Sequence, residues 1–458
     1  MESLGVLDCV AILVNSSLGA GFLAVPWVFL QLGFSFALVV LGVWIFISLV
    51  ISLMIVETMS RAEAYARMTE EGFEVPSVKL LQVFKPRKSD PLLKSDFKPE
   101  ITSGRKFELS QLNIMFLGSW GKHLYNAFMV IGMESVLCSY VMLCVTSMLN
   151  NIPLGTYETC NIYEDQFFYT ECRYKYWVWL LVVMAIMATL TFMGLKNQKF
   201  IQKFSTFARI FILLVMLITS LAALFMDEPL NPSLPKDEVP ELSFQNIAMG
   251  VPLLKFATGF QSILASVTKE MKNKTTTSYL SIVLTSAVIF VFCGSLGVVT
   301  GSALEGYQAP SLSTLAWSGY SAGILPRPLW TVLVEYFVIL FPAFNILTSG
   351  PITAIALSEN IASMVPCKQK FLRGVVWVLP LVLSFFFYDM GKAAAFAGLT
   401  AYYVVFISMP LIHMVARRQV TQKSPYEGWH SSEVLAWSII VFVSFVFILN
   451  TYYLLTTL

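Results

Sequence analysis

Apolar residues run in long blocks along this chain, and polar residues gather between the blocks. A helix needs roughly 20 apolar residues to cross a bilayer. Eleven blocks approach that length: Leu4–Leu30, Phe34–Thr58, Leu124–Leu149, Trp177–Phe192, Phe207–Phe225, Ile247–Thr268, Tyr279–Val299, Leu329–Ala356, Val375–Tyr388, Ala393–Val415 and Val434–Tyr453. The fourth and ninth are short, and Pro252, Lys255 and Gln261 dilute the sixth. The pattern predicts an all-α integral membrane protein of about 11 transmembrane helices, with residues 1–458 as a single polytopic unit. The first block has no basic residue ahead of it and carries Glu2 and Asp8, so it is expected to stay in the mature protein as a span.

Composition agrees with this class. Of 458 residues, 57% are hydrophobic and only 13% charged, against about 25% charged in ordinary soluble domains. A net charge of +2 gives no reason to expect a nucleic-acid partner. The partner it does imply is the lipid bilayer.

The placement of basic residues orients the spans. With the N-terminus cytosolic, the short inner loops 195–204, 269–278, 358–374 and 417–432 hold twelve Lys and Arg, and the outer loops hold five. The C-terminus is then expected to be lumenal or extracellular; the sequence does not name the organelle, and an endolysosomal and a plasma membrane both fit. Cys160 and Cys172 lie in one polar outer loop. That compartment permits a disulfide between them, and two free thiols are the alternative. The long inner loop, 60–108, mixes charges, prolines and scattered apolar residues and is expected to be partly disordered. The following "FELSQLNIMFLGSW" has apolar residues at helical spacing. It reads as a helix along the membrane surface or as an early start of the third span.

The first span contains a stretch ill suited to a continuous helix: "NSSLGAGFLAVPWVF", Asn15 to Phe29. Gly19 and Gly21 let the backbone leave helical geometry, and Pro26 cannot donate a backbone hydrogen bond. Broken helices inside a membrane are tolerated where they line a protein-buried cavity, and their ends offer partial charges to a small zwitterion or cation. Small residues also serve close helix packing. Five spans later, Thr258, Gly259 and Gln261 interrupt the sixth block near its centre. Paired breaks at this spacing are the pattern of inverted-repeat transporters. Repeat one would then cover about 4–226, repeat two about 246–416, and a peripheral helix about 433–455.

On these residues a family resemblance stands out. The pattern N-x-x-x-G-x-G-x-x-x-x-P-x-x-F from Asn15 resembles the first helix of the amino acid/auxin permease superfamily. "ITSGRKFELSQLNIMF" before the third span and "LFPAFNILTSGPITAIALSENI" from Leu340 to Ile361 resemble, more narrowly, its transmembrane protein 104 branch. The resemblance implies a LeuT-like fold of 5+5 inverted repeats plus one helix, and secondary transport of small amino acids by alternating access. A substrate site would include Asn15, Ser16, Ser17, Gly19, Ala20 and Gly21 of the first helix, Thr258, Gly259 and Gln261 of the sixth, and Glu134 of the third. Thr348 and Ser349, before Gly350-Pro351, would face first-helix carbonyls and complete a sodium site. One feature departs from the superfamily: "TGFQSIL" at the sixth-helix break lacks the Cys-His-Pro-like element common there.

Ionisable groups at membrane depth are costly and count as functional candidates. Glu134, Lys255 and Glu335 fall inside spans three, six and eight. Lys255 is expected to pair with Glu134 or Glu335, either as a proton-handling site or as a fixed structural pair. Lys255 standing in for a bound cation is a further alternative. Arg209, Glu57 and Asp8 are expected to snorkel to the interfaces.

Nothing in the sequence marks an enzyme. The three His lie near or outside the inner boundary, and no metal-binding His/Glu pair, nucleophile elbow, phosphate loop or Cys-x-x-Cys is present. No catalytic residue, metal site or cofactor is assigned; Na+ or H+ is the coupling ion to consider. The expectation is a transporter for a small amino acid or related zwitterion. The alternative is a non-transporting receptor, sensor or subunit on the same fold.

Overall fold

The structure is a computed structural model that describes residues 4–17, 21–70, 99–101, 107–152, 170–193, 199–232, 234–236, 242–324, 326–364, 367–386, 388, 397–400 and 402–457. Among the described residues, ten helices are long and apolar enough to cross a membrane, and one bent helix pair makes an eleventh span. These correspond to the eleven apolar blocks. The chain is thus an all-α integral membrane protein.

The first span is α1 (Val6–Ser17), a 3-10 turn (Gly21–Ala24) and α2 (Val25–Leu32). Its two halves bend by 59°. Pro26 does not interrupt the second half. It occupies the first turn of α2, where its missing N–H would have had no intrahelical partner anyway.

Next comes α3 (Phe34–Glu70), 37 residues of unbroken helix, about 55 Å at 1.5 Å per residue. It outruns the expected span, so 60–70 is helix rather than loop. Glu63, Ala64 and Met68 in that extension are buried. The remainder of the expected disordered loop, 71–98 and 102–106, lies outside the described residues.

Glu108 and Gln111 cap α4 (Leu109–Asn151) reciprocally, so that Glu108 N donates to Gln111 Oε1 at 3.1 Å. Gly118, at φ 71° and ψ −159°, kinks this helix and sets off its first turns. The stretch expected either along the membrane surface or as an early start of the third span forms the first turns of α4, before the Gly118 kink. Leu109, Leu112, Phe116 and Leu117 are buried, and Phe116 meets Tyr65 of α3 edge-on, ring centroids 5.6 Å apart.

The spans continue with α5 (Thr170–Met193) and α6 (Lys199–Met226). The sixth is again broken, into α7 (Phe244–Ala257) and α8 (Gln261–Glu270). Then follow α9 (Lys274–Ala303), α10 (Leu329–Met364), and the weak ninth block as α11 (Gln369–Val375) with α12 (Val378–Phe386). A π-helical stretch, Tyr402–Ile407, leads into α13 (Ser408–Gln419), and α14 (Glu433–Thr457) closes the chain. Phe225, Val434 and Ile448 are among the large apolar side chains left exposed, as a lipid-facing surface requires.

Close backbone approach seats the broken first span. A Cβ on Gly297 would lie 2.6 Å from the Phe29 ring, and one on Gly301 2.8 Å from Phe34. This i, i+4 glycine pair in α9 forms the notch that receives α2 and the start of α3. Gly297→Ala is expected to destabilise the protein by about 1–3 kcal/mol through overpacking, read as a lower melting midpoint in detergent. An unchanged midpoint would show that Phe29 is free to swing away.

Candidate functional site

The two helix breaks meet. Ser17 Oγ, at the end of α1, donates to the Ala257 carbonyl at the end of α7, 3.0 Å away. Gly21 approaches from the other side of the first break. A Cβ there would stand 2.8 Å from Ala257 N, 2.8 Å from Phe256 Cδ1 and 3.0 Å from Ala257 Cα. Only glycine lets the two interrupted backbones run this close. Ser16 is partly buried nearby in sequence, while Gly19 and Ala20 lie outside the described residues.

At the sixth-span break the polar side chains are turned back on the chain. Thr258 N and Oγ1 both donate to the Lys255 carbonyl, at 3.2 and 3.0 Å. Gln261 Oε1 accepts from Phe260 N at 3.1 Å, and its Nε2 reaches the Ser48 carbonyl of α3 at 3.5 Å. These bonds satisfy groups that the end of α7 and the start of α8 would otherwise orphan. Gly259 has the most room of the three, with nothing closer than 3.8 Å to where a Cβ would stand.

The expected ion pairs are not what the structure forms. Glu335 pairs with Arg327 and accepts from Gly319 N at 2.7 Å, tying α10 to the 304–328 connection. Glu335 is therefore a loop anchor rather than a partner for Lys255. The Lys255 ammonium lies 4.8 Å from the ring centroid of Phe406 in the π-helical stretch, and cation–π attraction is strongest in such desolvated places. Glu134 is buried on α4, and its Oε2 finds no hydrogen-bond partner among the described residues.

Thr348 and Ser349 each donate to the Asn345 carbonyl of their own helix, at 2.7 and 2.8 Å. Hydroxyls in a helix often bond back in this way. Arg209 reaches a carbonyl of the first helix. Instead of snorkelling, it is 4% exposed and directs Nη1 at Asn15 O, 2.7 Å away, and at Asn15 Oδ1. The expectation failed on position: α6 begins at Lys199, eight residues before the apolar block, so Arg209 sits well inside the helix. Tyr140 of α4 lies within electrostatic range of Arg209. Arg209 therefore ties α6 to the polar end of α1.

A second buried polar cluster went unforeseen. Glu57 on α3 is fully buried, not snorkelling. It accepts from Arg61 Nε and Nη2 at 3.0 and 2.8 Å and from the Ser431 hydroxyl. His430 and His413 bring Nε2 to 3.4 and 3.7 Å of its Oε2. Arg61 continues to the carbonyls of Val420 and Gln422 and to Glu427, which Arg417 of α13 also meets at 3.2 Å. The Glu57–Arg61 spacing of i, i+4 was the available signal. Asp8, by contrast, is exposed and accepts from Gly5 N at 3.1 Å.

Cys172 is disulfide-bonded. Cys160, its expected partner, lies outside the described residues. Among the described residues, no group of three or more His, Cys, Asp or Glu is arranged to hold a metal ion.

Compared with protein families, the chain matches the model for transmembrane amino acid transporter proteins over residues 2–456. No curated protein matched it.

Proposed function

The chain belongs to the transmembrane amino acid transporter family, and on that premise we propose that it is a secondary active transporter of a small amino acid or related zwitterion. The observation that carries this reading is the meeting of the two broken spans, Ser17 on the Ala257 carbonyl and Gly21 against Ala257 N. Transporters built on inverted repeats bind substrate where interrupted helices face one another at mid-membrane. Spans one to five and six to ten act as the two halves, with α14 peripheral and the N-terminus cytosolic. Backbone amides at the start of α2 and α8 hold the substrate carboxylate. Carbonyls at the ends of α1 and α7 hold its amino group.

Glu134 supplies the carboxylate for proton coupling: it is buried at mid-span, one oxygen is unpartnered among the described residues, and no basic group is paired with it there. The finer relationship, to the transmembrane protein 104 branch, rests on the motifs around spans three and eight.

Purified protein in proteoliposomes is expected to accumulate at least one neutral amino acid from a panel when a proton gradient is imposed. Glu134→Gln is expected to remove the gradient's effect while leaving exchange of internal for external substrate. No accumulation of any panel member under proton or sodium gradients would overturn the transport reading.

A further inference from the structure

We infer that the Glu57 cluster is a proton-binding site: His413 and His430 take up protons there, and their arrival loosens the tie between α3 and the 420–432 segment. It goes beyond the transport reading and needs no substrate.

Hydrogen bonding fixes where His413 carries its proton. A hydroxyl has one proton to give. Thr58 gives its own to the Met54 carbonyl of the same helix, 2.7 Å away. Thr58 Oγ1 can then only accept, and the donor is His413 Nδ1 at 3.3 Å. The bond made by one ring nitrogen decides the state of the other, so Nε2 of a neutral His413 is a bare acceptor. That nitrogen is buried, has no hydrogen-bond partner among the described residues and stands 3.7 Å from Glu57 Oε2. His430 adds a second buried ring. Neither of its nitrogens has a hydrogen-bond partner among the described residues, and Nε2 lies 3.4 Å from the same oxygen. Two buried imidazoles thus flank one carboxylate oxygen.

The charges around the rings set the consequence. Facing them are Glu57 and Arg61 from α3, Arg417 from α13, Glu427 from the 420–432 segment and Glu433 at the start of α14. Glu57 is matched by Arg61, Glu427 by Arg417, and Glu433 by Arg418. The cluster is therefore balanced while both imidazoles are neutral. Each added proton brings a buried positive charge with no anion of its own, and such charges are costly. The protonated rings also compete with Arg61 for Glu57, which already accepts two bonds from Arg61 and one from Ser431. Arg61 is the group whose Nη1 holds the Val420 and Gln422 carbonyls. Weakening its seat on Glu57 frees those carbonyls from α3. The two elements are bound here at neutral pH and part in acid.

The test reads the distance between spin labels on Thr69→Cys, at the end of α3, and Lys423→Cys, both exposed positions. It uses purified full-length protein in which the exposed Cys367 is replaced, Cys367→Ser. One narrow distance is expected at pH 7.5, and a longer, broader one at pH 4.5 that reverts on return. His413→Gln/His430→Gln, in which neither side chain takes up a proton, is expected to hold the narrow distance at both. Melting midpoints should follow, because stability that needs neutral imidazoles is lost as pH falls below about 6.5. The wild type should therefore lose more in acid than the double variant. An unchanged or tighter wild-type distance in acid overturns the inference, and so does acid broadening that persists in the double variant. Nitrogen-15 spectra of the histidine rings need no variant to fold. The chain has three His, of which His123 is exposed. At pH 7.5 one ring is expected to carry its proton on Nδ1 alone, and to gain a second over the pH range in which the labels move apart. A spectrum with no such ring, or with a buried imidazolium already at pH 7.5, overturns the inference as well.

Discussion

Gly21→Ala is expected to cut uptake by roughly tenfold or more, because an error of about 1 Å at a reacting or binding geometry is already that costly. The added methyl group would meet Ala257 N and Phe256 Cδ1 at 2.8 Å and Ala257 Cα at 3.0 Å. Two of those three atoms are backbone and cannot rotate aside. The start of the 3-10 turn must retreat from the end of α7, and the Ser17–Ala257 hydrogen bond at 3.0 Å must stretch with it. Overpacking of this kind costs about 1–3 kcal/mol of stability, so a modest drop in melting midpoint should accompany the functional loss. Gly21→Leu should do both more severely. Uptake at the wild-type level in a folded Gly21→Ala protein would show that the approach of the two breaks is incidental to transport.

The second large effect falls far from the breaks. Arg61→Leu should destabilise the protein by about 3–5 kcal/mol, the usual result of removing one partner from a buried ion pair. Glu57 is fully buried and would keep the Ser431 hydroxyl, the two His and Arg417 at 3.9 Å, but lose the two-pronged contact from Arg61. The carbonyls of Val420 and Gln422 would lose their donor at the same time. The double variant Glu57→Gln/Arg61→Leu should recover part of the loss, since it no longer leaves a charge stranded. Melting midpoints of the two single variants and the double variant measure the coupling directly. Additive losses would mean that the pair is solvated and structurally idle.

Much of this architecture is legible in the sequence because the membrane imposes a single strong rule. Backbone polar groups must be satisfied within helices, so apolar length alone locates the spans. The first break was legible too, since two glycines and a proline inside an apolar block have few other uses. Depth was harder to read. Arg209 looks terminal when its helix is begun at the apolar Phe207, yet α6 starts eight residues earlier on polar sequence. The same blindness hid the length of α3, whose last turns are polar by composition and buried by packing against α4.

Apart from the i, i+4 spacing of Glu57 and Arg61, side-chain pairing was not legible. Glu134 and Glu335 were both candidate partners for Lys255 by charge, but the 304–328 connection brings Arg327 to Glu335 and the π-helical stretch brings Phe406 to Lys255. Both partners arrive through irregular segments, which no apolar periodicity marks. The two histidines look like boundary residues in sequence, yet His413 on α13 and His430 in the turn before α14 both come to lie beside Glu57.

That turn has a mechanical meaning. The Glu57 cluster binds α3, from the first half of the chain, to α13 and the 420–432 segment, from the second. A rivet of this kind lets two blades swing but not slide. Any motion that opens the meeting place of the two breaks must pivot about this end of the bundle and be largest at the other. Spin labels on α3 and α13 beside the rivet should hold one narrow distance through the cycle, while pairs at the opposite end spread.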